Sequence, residues 1–388
     1  MINRFSHQIL ASALTLVIFL NPYALFAKSS ASQLDQLFQA AADSNTVPGI
    51  SVAIANNSGV IYAKGFGFAD IENKVPMSPT TKLRIGSVSK VMATAALMRM
   101  VEDNKVDLAV NVEDLVDAWP KTHADINFYH LTGHTSGIRH YQGSAEFLSN
   151  KQYNSRVESL NIFKDDPLRF TPGEKFGYST YAWTLISAAL EKADGKRDFN
   201  QLMQDYVFNP LNMKHSLLEK PLTEVAESQK PYSVSAGKLV DSREVNNSYK
   251  YAGGGILSTP TDVVNFAMAH TKPGYLKKQT LEQMFTNQRF NDGKKNQYGI
   301  GWRVGFERQI ARLKGDSDEE KRLVEIMQRH PNSVFHSGGS MGASSMLILC
   351  LDHNHAAAMV KNVDGDRSSN LMNLTLLALD VAMGDPYK

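Results

Sequence analysis

The sequence has very little cysteine: Cys350 is the only one among 388 residues. A single cysteine cannot form an intrachain disulfide, and we expect neither a disulfide nor a cysteine-based zinc site. Cys350 follows the apolar stretch Ser345-Met-Leu-Ile-Leu, so we expect it to be buried in the core. Because no cysteine lies near the N-terminal apolar segment, a lipid-anchored lipoprotein is also not expected.

A strong excess of one charge is missing as well. The formal net charge is +2, with 41 basic and 39 acidic residues interspersed along the chain. Nucleic-acid-binding proteins carry a concentrated basic surface, so we expect no nucleic-acid partner. The sequence also shows no internal repeat and no low-complexity tract, and its length suggests two lobes with a large core.

No apolar run of membrane-spanning length follows the N-terminus. The run at 9–20 is shorter than the roughly 20 residues that cross a bilayer. It follows a segment containing Arg4, precedes Asn21-Pro22, and is followed by small residues at Ala27 and Ala31. This arrangement predicts a secretory signal peptide over 1–27, a folded domain over 32–388, and no stable membrane anchor. We therefore expect a periplasmic or secreted protein.

Apolar periodicity places strands near both ends of the chain and helices in the middle. Residues 49–55, 60–68, 299–304, 333–336, 344–351 and 356–360 favour strands. Helical spacing recurs at 32–43, 88–103, 181–193, 199–206, 261–269 and 371–383. The pattern predicts an α/β (α+β) lobe from 32–84 and 291–388, with a mostly helical lobe inserted at 85–290. We expect the charged segment 306–330 to be a solvated surface insertion.

The motif S-x-x-K occurs twice, at Ser87-Val-Ser-Lys90 and Ser235-Ala-Gly-Lys238. Ser87 begins a strongly helical run, where unpaired backbone N–H groups and the helix dipole favour developing negative charge. Lys90 is three residues later on the same helical face, so its amine can reach Ser87 and, when buried, act as a general base. Ser235 lies in a polar loop that offers none of these effects. A simple N-cap serine remains the alternative for Ser87.

A second candidate nucleophile is Ser340, in Gly338-Gly-Ser-Met-Gly342, which matches the G-x-S-x-G elbow of α/β-hydrolases. That elbow requires a strand before the serine and a helix after it. The residues after Ser340 predict a second strand instead. We therefore expect this glycine-rich stretch to be a tight connection between two strands.

Three motifs together resemble those of the penicillin-recognising serine hydrolases, the family of serine β-lactamases and penicillin-binding proteins. They are Ser87-Val-Ser-Lys90, Tyr178-Ser-Thr180 and His336-Ser-Gly338-Gly339, in that order. Other sequence segments, such as Gly133-His-Thr-Ser-Gly137 and Gly253-Gly-Gly-Ile-Leu-Ser-Thr259, are also similar to segments of that family. The resemblance covers about residues 34–380 and is closest to the serine β-lactamase-like proteins, a branch with mitochondrial members in animals. It implies an antiparallel sheet flanked by helices from both termini.

The resemblance implies a role for each motif residue. Ser87 would attack an acyl carbonyl and form an acyl-enzyme, while Lys90 and Tyr178 share the proton transfers. The N–H groups of Ser87 and Gly339 would form the oxyanion hole, for which the Gly338-Gly339 pair leaves room. Which of Lys90 and Tyr178 takes the serine proton stays open at this stage.

Two departures from the family pattern concern substrate binding. Thr180 stands where many relatives have an asparagine that holds the acylamino side chain, and His336 replaces a cationic lysine. No equivalent of the deacylating glutamate of some β-lactamases is evident. We therefore predict a peptidase, esterase or amidase acting on a small acyl, ester or peptide substrate. The alternatives are a true β-lactamase or D-Ala-D-Ala carboxypeptidase, and a non-catalytic protein that binds cell-wall peptides or self-assembles.

Eleven histidines raise the question of a metal site. His130 and His134 have zincin spacing but lack its glutamate, and His353 and His355 lie in a polar turn. We expect no metal and no cofactor. The stretch Arg139-His-Tyr141 could line the cleft or pack inside the helical lobe, and Trp302 is expected in the core.

Overall fold

The structure is a computed structural model that describes residues 22–123, 125–368 and 370–384, with side chains from residue 30. The apolar run at 9–20, on which the prediction of a signal peptide rests, lies outside the described residues. No helix in the described part of the chain is both long and apolar enough to cross a membrane.

The five longest strands all belong to the central sheet, and the other strands have two to four residues. Their bounds are β1 (Gly49–Asn56), β2 (Gly59–Asp70), β3 (Val75–Pro76), β4 (Leu83–Arg84), β5 (Leu217–Leu218), β6 (Tyr232–Ser235), β7 (Lys238–Asp241), β8 (Ile256–Ser258), β9 (Arg303–Val304), β10 (Ser333–Ser340), β11 (Ala343–Cys350), β12 (His355–Lys361) and β13 (Val363–Asp364). Seven of them form one antiparallel sheet in the order β3-β2-β1-β12-β11-β10-β9.

Helices lie before the first strand, between strands and after the last strand. Their bounds are α1 (Pro22–Ala42), α2 (Ser89–Glu102), α3 (Val112–Leu115), α4 (Phe128–Thr132), α5 (Ser144–Phe147), α6 (Arg156–Leu160), α7 (Tyr181–Asp194), α8 (Phe199–Met203), α9 (Tyr251–Gly254), α10 (Pro260–Met268), α11 (Lys278–Met284), α12 (Glu307–Ile310), α13 (Asp318–Arg329) and α14 (Leu371–Ala382). A 3₁₀ turn at Gly86–Val88 leads directly into α2.

The central sheet is covered on both faces, because β1 alternates between two hydrophobic cores. Ile50, Val52 and Ile54 lie in the core formed with α1, α13 and α14, whereas Ala53 and Ala55 face the core of the helical region. This two-sided burial explains why β1 has almost no polar residue. The predicted fold class, an antiparallel sheet with helices from both termini and helical segments inserted, is confirmed.

The charged segment 306–330 differs from the expected solvated insertion. It contains α12 and α13, and α13 buries Leu323, Ile326 and Met327 against the core that includes α14. Arg322 and Arg329 both pair with the buried carboxylate of Asp380 on α14, at 2.9 and 2.5 Å. The apolar residues recur at helical spacing among many charges, so the segment is an amphipathic helix that closes one side of the sheet.

Two further details depart from the sequence pattern. The region 85–290 contains the short strands β5 to β8, which are too brief to produce a period-2 signal. Only Arg303–Val304 of the predicted strand 299–304 pairs with the sheet, because Gly301 turns the chain at φ +76°. Trp302 follows that turn and is fully buried against Phe266 and Phe285, as expected for a core residue.

Candidate active site

Ser87 lies in the 3₁₀ turn where α2 begins, at the edge of the central sheet. The preceding Gly86 has φ +49°, and a methyl group placed on it would lie 2.7 Å from the backbone N of Gly339. Both the positive φ and this close approach require glycine at position 86. Ser345 Oγ on β11 donates to Ile85 O at 2.7 Å, which fixes the start of α2 against the sheet.

Ser87 Oγ contacts both of the side chains that the sequence motifs predicted beside it. Lys90 Nζ lies 3.0 Å from Ser87 Oγ, one helical turn away, and the Tyr178 hydroxyl donates to Ser87 Oγ at 2.9 Å. Ser87 is only partly buried, whereas Lys90 is fully buried beneath it. The serine is therefore accessible to a substrate while its polar partners are shielded.

The buried Lys90 amine has no carboxylate partner among the residues that the structure describes. It donates to Gly253 O at 2.5 Å and lies 3.4 Å from Thr180 Oγ1. Burial, with repulsion from Lys250, holds the pKa of Lys90 well below its usual value. A neutral amine at this position can accept the Ser87 proton, as a general base must.

The Tyr178 phenol behaves differently from Lys90. Its ring stacks on His134 at a centroid distance of 4.3 Å and meets the edge of His140 at 5.5 Å. Burial among these rings raises the pKa of Tyr178 above its ordinary value, with a smaller contribution from Tyr298. The phenol therefore stays protonated and is a hydrogen-bond donor to Ser87.

His134 and His140 position the segment that carries Tyr178. His134 Nδ1 accepts from the N–H of Ser179, and His140 Nδ1 accepts from the N–H of Thr180, each at 3.2 Å. Burial, together with nearby positive charges, lowers the pKa of His140 to about 4, so its ring is neutral and can accept this bond. The two rings thus hold the Tyr178 loop by its backbone.

Two further residues considered in the sequence, His130 and Arg139, form hydrogen bonds or ion pairs that stabilise the fold around the site. His130 completes a capping box with Asn127 at the start of α4. Arg139 pairs with Glu146 and Asp166 at 2.9 and 2.5 Å. Of the stretch 139–141, only His140 contacts the Tyr178 ring.

His336 is buried on β10 and does not supply a positive charge. Its Nδ1 lies 2.7 Å from Ser337 O, and its Nε2 has no hydrogen-bond partner among the residues that the structure describes. Burial, Lys90 and Arg303 lower the pKa of His336 to about 3. A neutral ring with its proton on Nδ1 leaves Nε2 as an acceptor, so it cannot attract a substrate carboxylate by charge.

The two glycines that follow on β10 have different surroundings. A methyl group on Gly338 would lie 2.1 Å from Ile85 O, whereas one on Gly339 would meet nothing within 4 Å. Packing therefore requires glycine at 338, and the open space lies beside the exposed Gly339. That space adjoins Gly86 and hence the nucleophile.

Thr180 is buried and its hydroxyl lies toward Lys90, so its contact is with the base.

The two competing serines lie in hairpins. Ser235 pairs with Lys238 across a turn whose central residues, Ala236 and Gly237, both have positive φ. Ser340 pairs with Ala343 at the tight turn between β10 and β11, so the predicted strand-to-strand connection is confirmed. Neither serine begins a helix.

Two groups that influence Lys90 were not predicted from the sequence: a hydrogen-bond acceptor and a second buried lysine. One is the carbonyl of Gly253, a backbone atom, although the phrase Gly253-Gly-Gly was noted as a family feature. The other is Lys250, which is buried among the rings of Tyr141, Phe147 and Tyr249 at 4.6 to 5.4 Å. Burial lowers the pKa of Lys250 to about 7.

Replacing Lys250 with methionine is expected to move the acid limb of the pH profile to higher pH. Below about pH 7, Lys250 is charged and opposes protonation of Lys90, so its removal raises the pKa of Lys90. The profile of kcat/KM against pH measures this shift. Lys238→Met, at an exposed position on β7, is the control, and an unmoved limb in Lys250→Met would contradict the coupling.

One cluster elsewhere in the described chain has metal-ligand chemistry. His330, Cys350 and His353 place one ligand atom each within 4.8 Å of one another. His355, considered with His353 in the sequence, contributes no atom to this cluster and places its Nδ1 2.7 Å from the His353 carbonyl oxygen.

The fold and site together define a class of protein. A serine at a helix start, contacted by a buried lysine and a tyrosine and facing a sheet edge, is an arrangement found in serine hydrolases. The chain belongs to the β-lactamase family, whose model, described as Beta-lactamase, matches residues 34–381.

Known relatives support this membership. The human "Serine beta-lactamase-like protein LACTB, mitochondrial" is 27% identical, covering 84% of this chain and 72% of its own length. The solved structure of EstCE1, a hydrolase with promiscuous acyltransferase activity, has a TM-score of 0.74 at 22% identity, covering 91% of this chain and 98% of that one. The D-amino acid amidase from Ochrobactrum anthropi SV3 has a TM-score of 0.73 at 22% identity, covering 92% and 98%. These two structures show the shared fold.

Proposed function

We propose that this protein is an exported serine hydrolase that forms an acyl-enzyme on Ser87 and cleaves small amides, peptides or esters. The observation that carries the proposal is the fully buried Lys90 amine, 3.0 Å from a partly exposed serine hydroxyl. Burial and Lys250 favour the neutral amine, and no carboxylate hydrogen-bonds to it in the described structure. A lysine kept in this state is suited to accept a proton rather than to bind an anion.

In acylation, Ser87 Oγ attacks the substrate carbonyl carbon as its proton passes to Lys90 Nζ. The carbonyl oxygen becomes an oxyanion, and the N–H groups of Ser87 and Gly339 are the proposed donors to it. Tyr178 then gives its proton to the leaving nitrogen or oxygen as that bond to carbon breaks, and the Lys90 ammonium supplies the replacement proton. Because the pKa of Tyr178 is raised, the phenol is protonated when the leaving group needs a donor.

Deacylation repeats these steps with water as the nucleophile. Lys90 accepts a proton from the attacking water, the bond between Ser87 Oγ and the acyl carbon breaks, and Tyr178 gives its proton to Ser87 Oγ. The Lys90 ammonium then returns a proton to Tyr178. Both half-reactions therefore use the same base and donor, with no separate glutamate.

The surroundings of Thr180 and His336 favour esters and amides over β-lactams. The Thr180 hydroxyl lies toward Lys90 and offers no carboxamide to an acylamino group, and neutral His336 offers no charge to a carboxylate. Similarity in fold to a D-amino acid amidase and to the hydrolase EstCE1 is consistent with such substrates.

A substrate panel tests this preference. We expect measurable turnover of short p-nitrophenyl esters and of D- or L-amino acid amides. For a chromogenic cephalosporin, we expect kcat/KM to be lower by about 100-fold or more, because its acylamino group and carboxylate would lack partners in the site. D-Ala-D-Ala peptides complete the panel, and mass spectrometry of the quenched enzyme should find the acyl group on Ser87. Rapid cephalosporin turnover would overturn the preference, and turnover of none of these substrates would favour a binding protein.

Export is a separate part of the proposal, supported by the apolar run at 9–20 and the small residues that follow it. Fractionation of expressing cells, followed by N-terminal sequencing, should find the mature protein outside the cytoplasm and beginning near residues 28–32. A full-length chain that remains in the cytoplasm would contradict it.

A further inference from the structure

A second group of reactive side chains lies at the end of β10 opposite to Gly339. His330 follows α13, Cys350 is the last residue of β11, and His353 is in the turn before β12. Cys350 and His330 are buried, whereas His353 is exposed. Ser333, which pairs with Cys350, and Gly338 are five residues apart on β10, so about 17 Å of strand separates this cluster from the nucleophile.

The three ligand atoms of this cluster are nearly equidistant. His330 Nδ1 and His353 Nδ1 are 3.0 Å apart, and Cys350 Sγ lies 3.5 and 3.4 Å from them. Around a tetrahedral zinc ion, with Zn–N bonds of about 2.0–2.1 Å and a Zn–S bond of about 2.3 Å, such atoms lie about 3.3–3.6 Å apart. The three atoms thus have almost the separations that zinc imposes.

Hydrogen bonds outside the cluster hold its two segments together. The N–H and side-chain amide of Asn332 donate to the Asp352 carboxylate at 3.1 and 2.7 Å. Leu351 N donates to Asn332 O, and Ser333 Oγ donates to His330 O. Since these bonds link the residues next to the ligands, the ligand positions are set by the fold without a metal.

We propose that His330 Nδ1, Cys350 Sγ and His353 Nδ1 bind one zinc-type divalent cation. Zinc displaces the thiol proton and bonds to the thiolate and to two neutral imidazoles, a donor set that this borderline ion favours. Because His353 is exposed, a water can occupy the fourth position. The site is too far from Ser87 to act on its acyl group. It would tie α13 and the start of β10 to the β11–β12 turn.

Metal titration of the purified protein tests the site. After chelator treatment, zinc is titrated against a chromophoric chelator, and cobalt(II) is added separately to detect thiolate-to-cobalt charge transfer. We expect one zinc per chain, the charge-transfer band, and a zinc-dependent rise in Tm. In His353→Gln, zinc affinity should fall by more than about 100-fold. Loss of a hydrogen bond that only supports a ligand usually lowers affinity by no more than that, and His353 is itself a ligand.

His355→Gln is the matched control, because His355 begins β12 two residues after His353 and contributes no atom to the cluster. The zinc affinity of this variant should stay within about 10-fold of that of the unmodified protein, which is the smallest loss usually seen when a contact that supports a ligand is removed. Failure of the unmodified protein to bind zinc, or equal loss in both variants, would overturn the site. Ester hydrolysis by the chelator-treated protein should be unchanged, so failure of the metal proposal is distinguishable from failure of the proposed function.

Discussion

Ser87→Ala is expected to lower ester and amide hydrolysis by at least about 10⁴-fold and to abolish covalent labelling by a fluorophosphonate. Lys90 and Tyr178 both hydrogen-bond to the Ser87 hydroxyl, and alanine removes that hydroxyl without adding volume. The residual rate would come from substrate binding and oxyanion stabilisation alone. Labelling, followed by mass spectrometry of the modified peptide, and steady-state kinetics measure the two effects.

The matched controls are Ser340→Ala and Ser235→Ala, which remove the other two candidate nucleophiles. Ser340 is buried at the β10–β11 turn and Ser235 is exposed in the β6–β7 hairpin, so both variants should keep their labelling. Labelling of Ser87→Ala at the level of the unmodified protein would show that another residue is the nucleophile.

Lys90→Met is expected to lower kcat/KM by about 10²- to 10⁴-fold, the usual contribution of a general base, and to remove the acid limb of the pH profile. Methionine fills much of the same volume but cannot accept a proton. The variant should not be less stable than the original, because a buried amine that pairs with no carboxylate in the described part of the chain is replaced by an apolar side chain. Kinetics over a pH series and thermal unfolding measure these outcomes.

Tyr178→Phe distinguishes the base from the proton donor. It removes the hydroxyl that contacts Ser87 but leaves Lys90 in place, so activity should fall while the acid limb stays. The loss should be largest for amides, whose leaving nitrogen depends most on a proton donor. If the acid limb disappears in Tyr178→Phe and persists in Lys90→Met, the two assignments must be exchanged.

Much of the site could be predicted from the sequence because its central contact is local. Ser87 and Lys90 are one helical turn apart, and that spacing alone brings them together. Tyr178 and Gly339 required resemblance to a known family, since no local pattern indicates which distant segments meet. The sheet was predicted from its apolar runs, which burial on both faces demands.

The features that escaped prediction have physical reasons. The acceptor for Lys90 is the Gly253 carbonyl, which every residue type carries, so no side chain identifies it. The burial of Lys250 depends on the rings of Tyr141 and Phe147, which lie about 100 residues earlier in the chain, as well as on its neighbour Tyr249. In α13, the many charges concealed three apolar residues at helical spacing, and the segment was therefore expected to be solvated.

The bond from Ser345 Oγ to Ile85 O joins residues 260 positions apart and holds the start of α2 against the sheet. Contacts of such long sequence separation form late in folding, because much of the chain must be ordered before they become favourable. During refolding, helical circular dichroism should therefore recover before hydrolytic activity does. In a chain whose final strands have not yet paired, Ser87 and Lys90 are still neighbours at the start of α2, but the backbone of Gly339 opposite them is not yet in place. Such a chain should have no hydrolytic activity until the last part of the sheet forms.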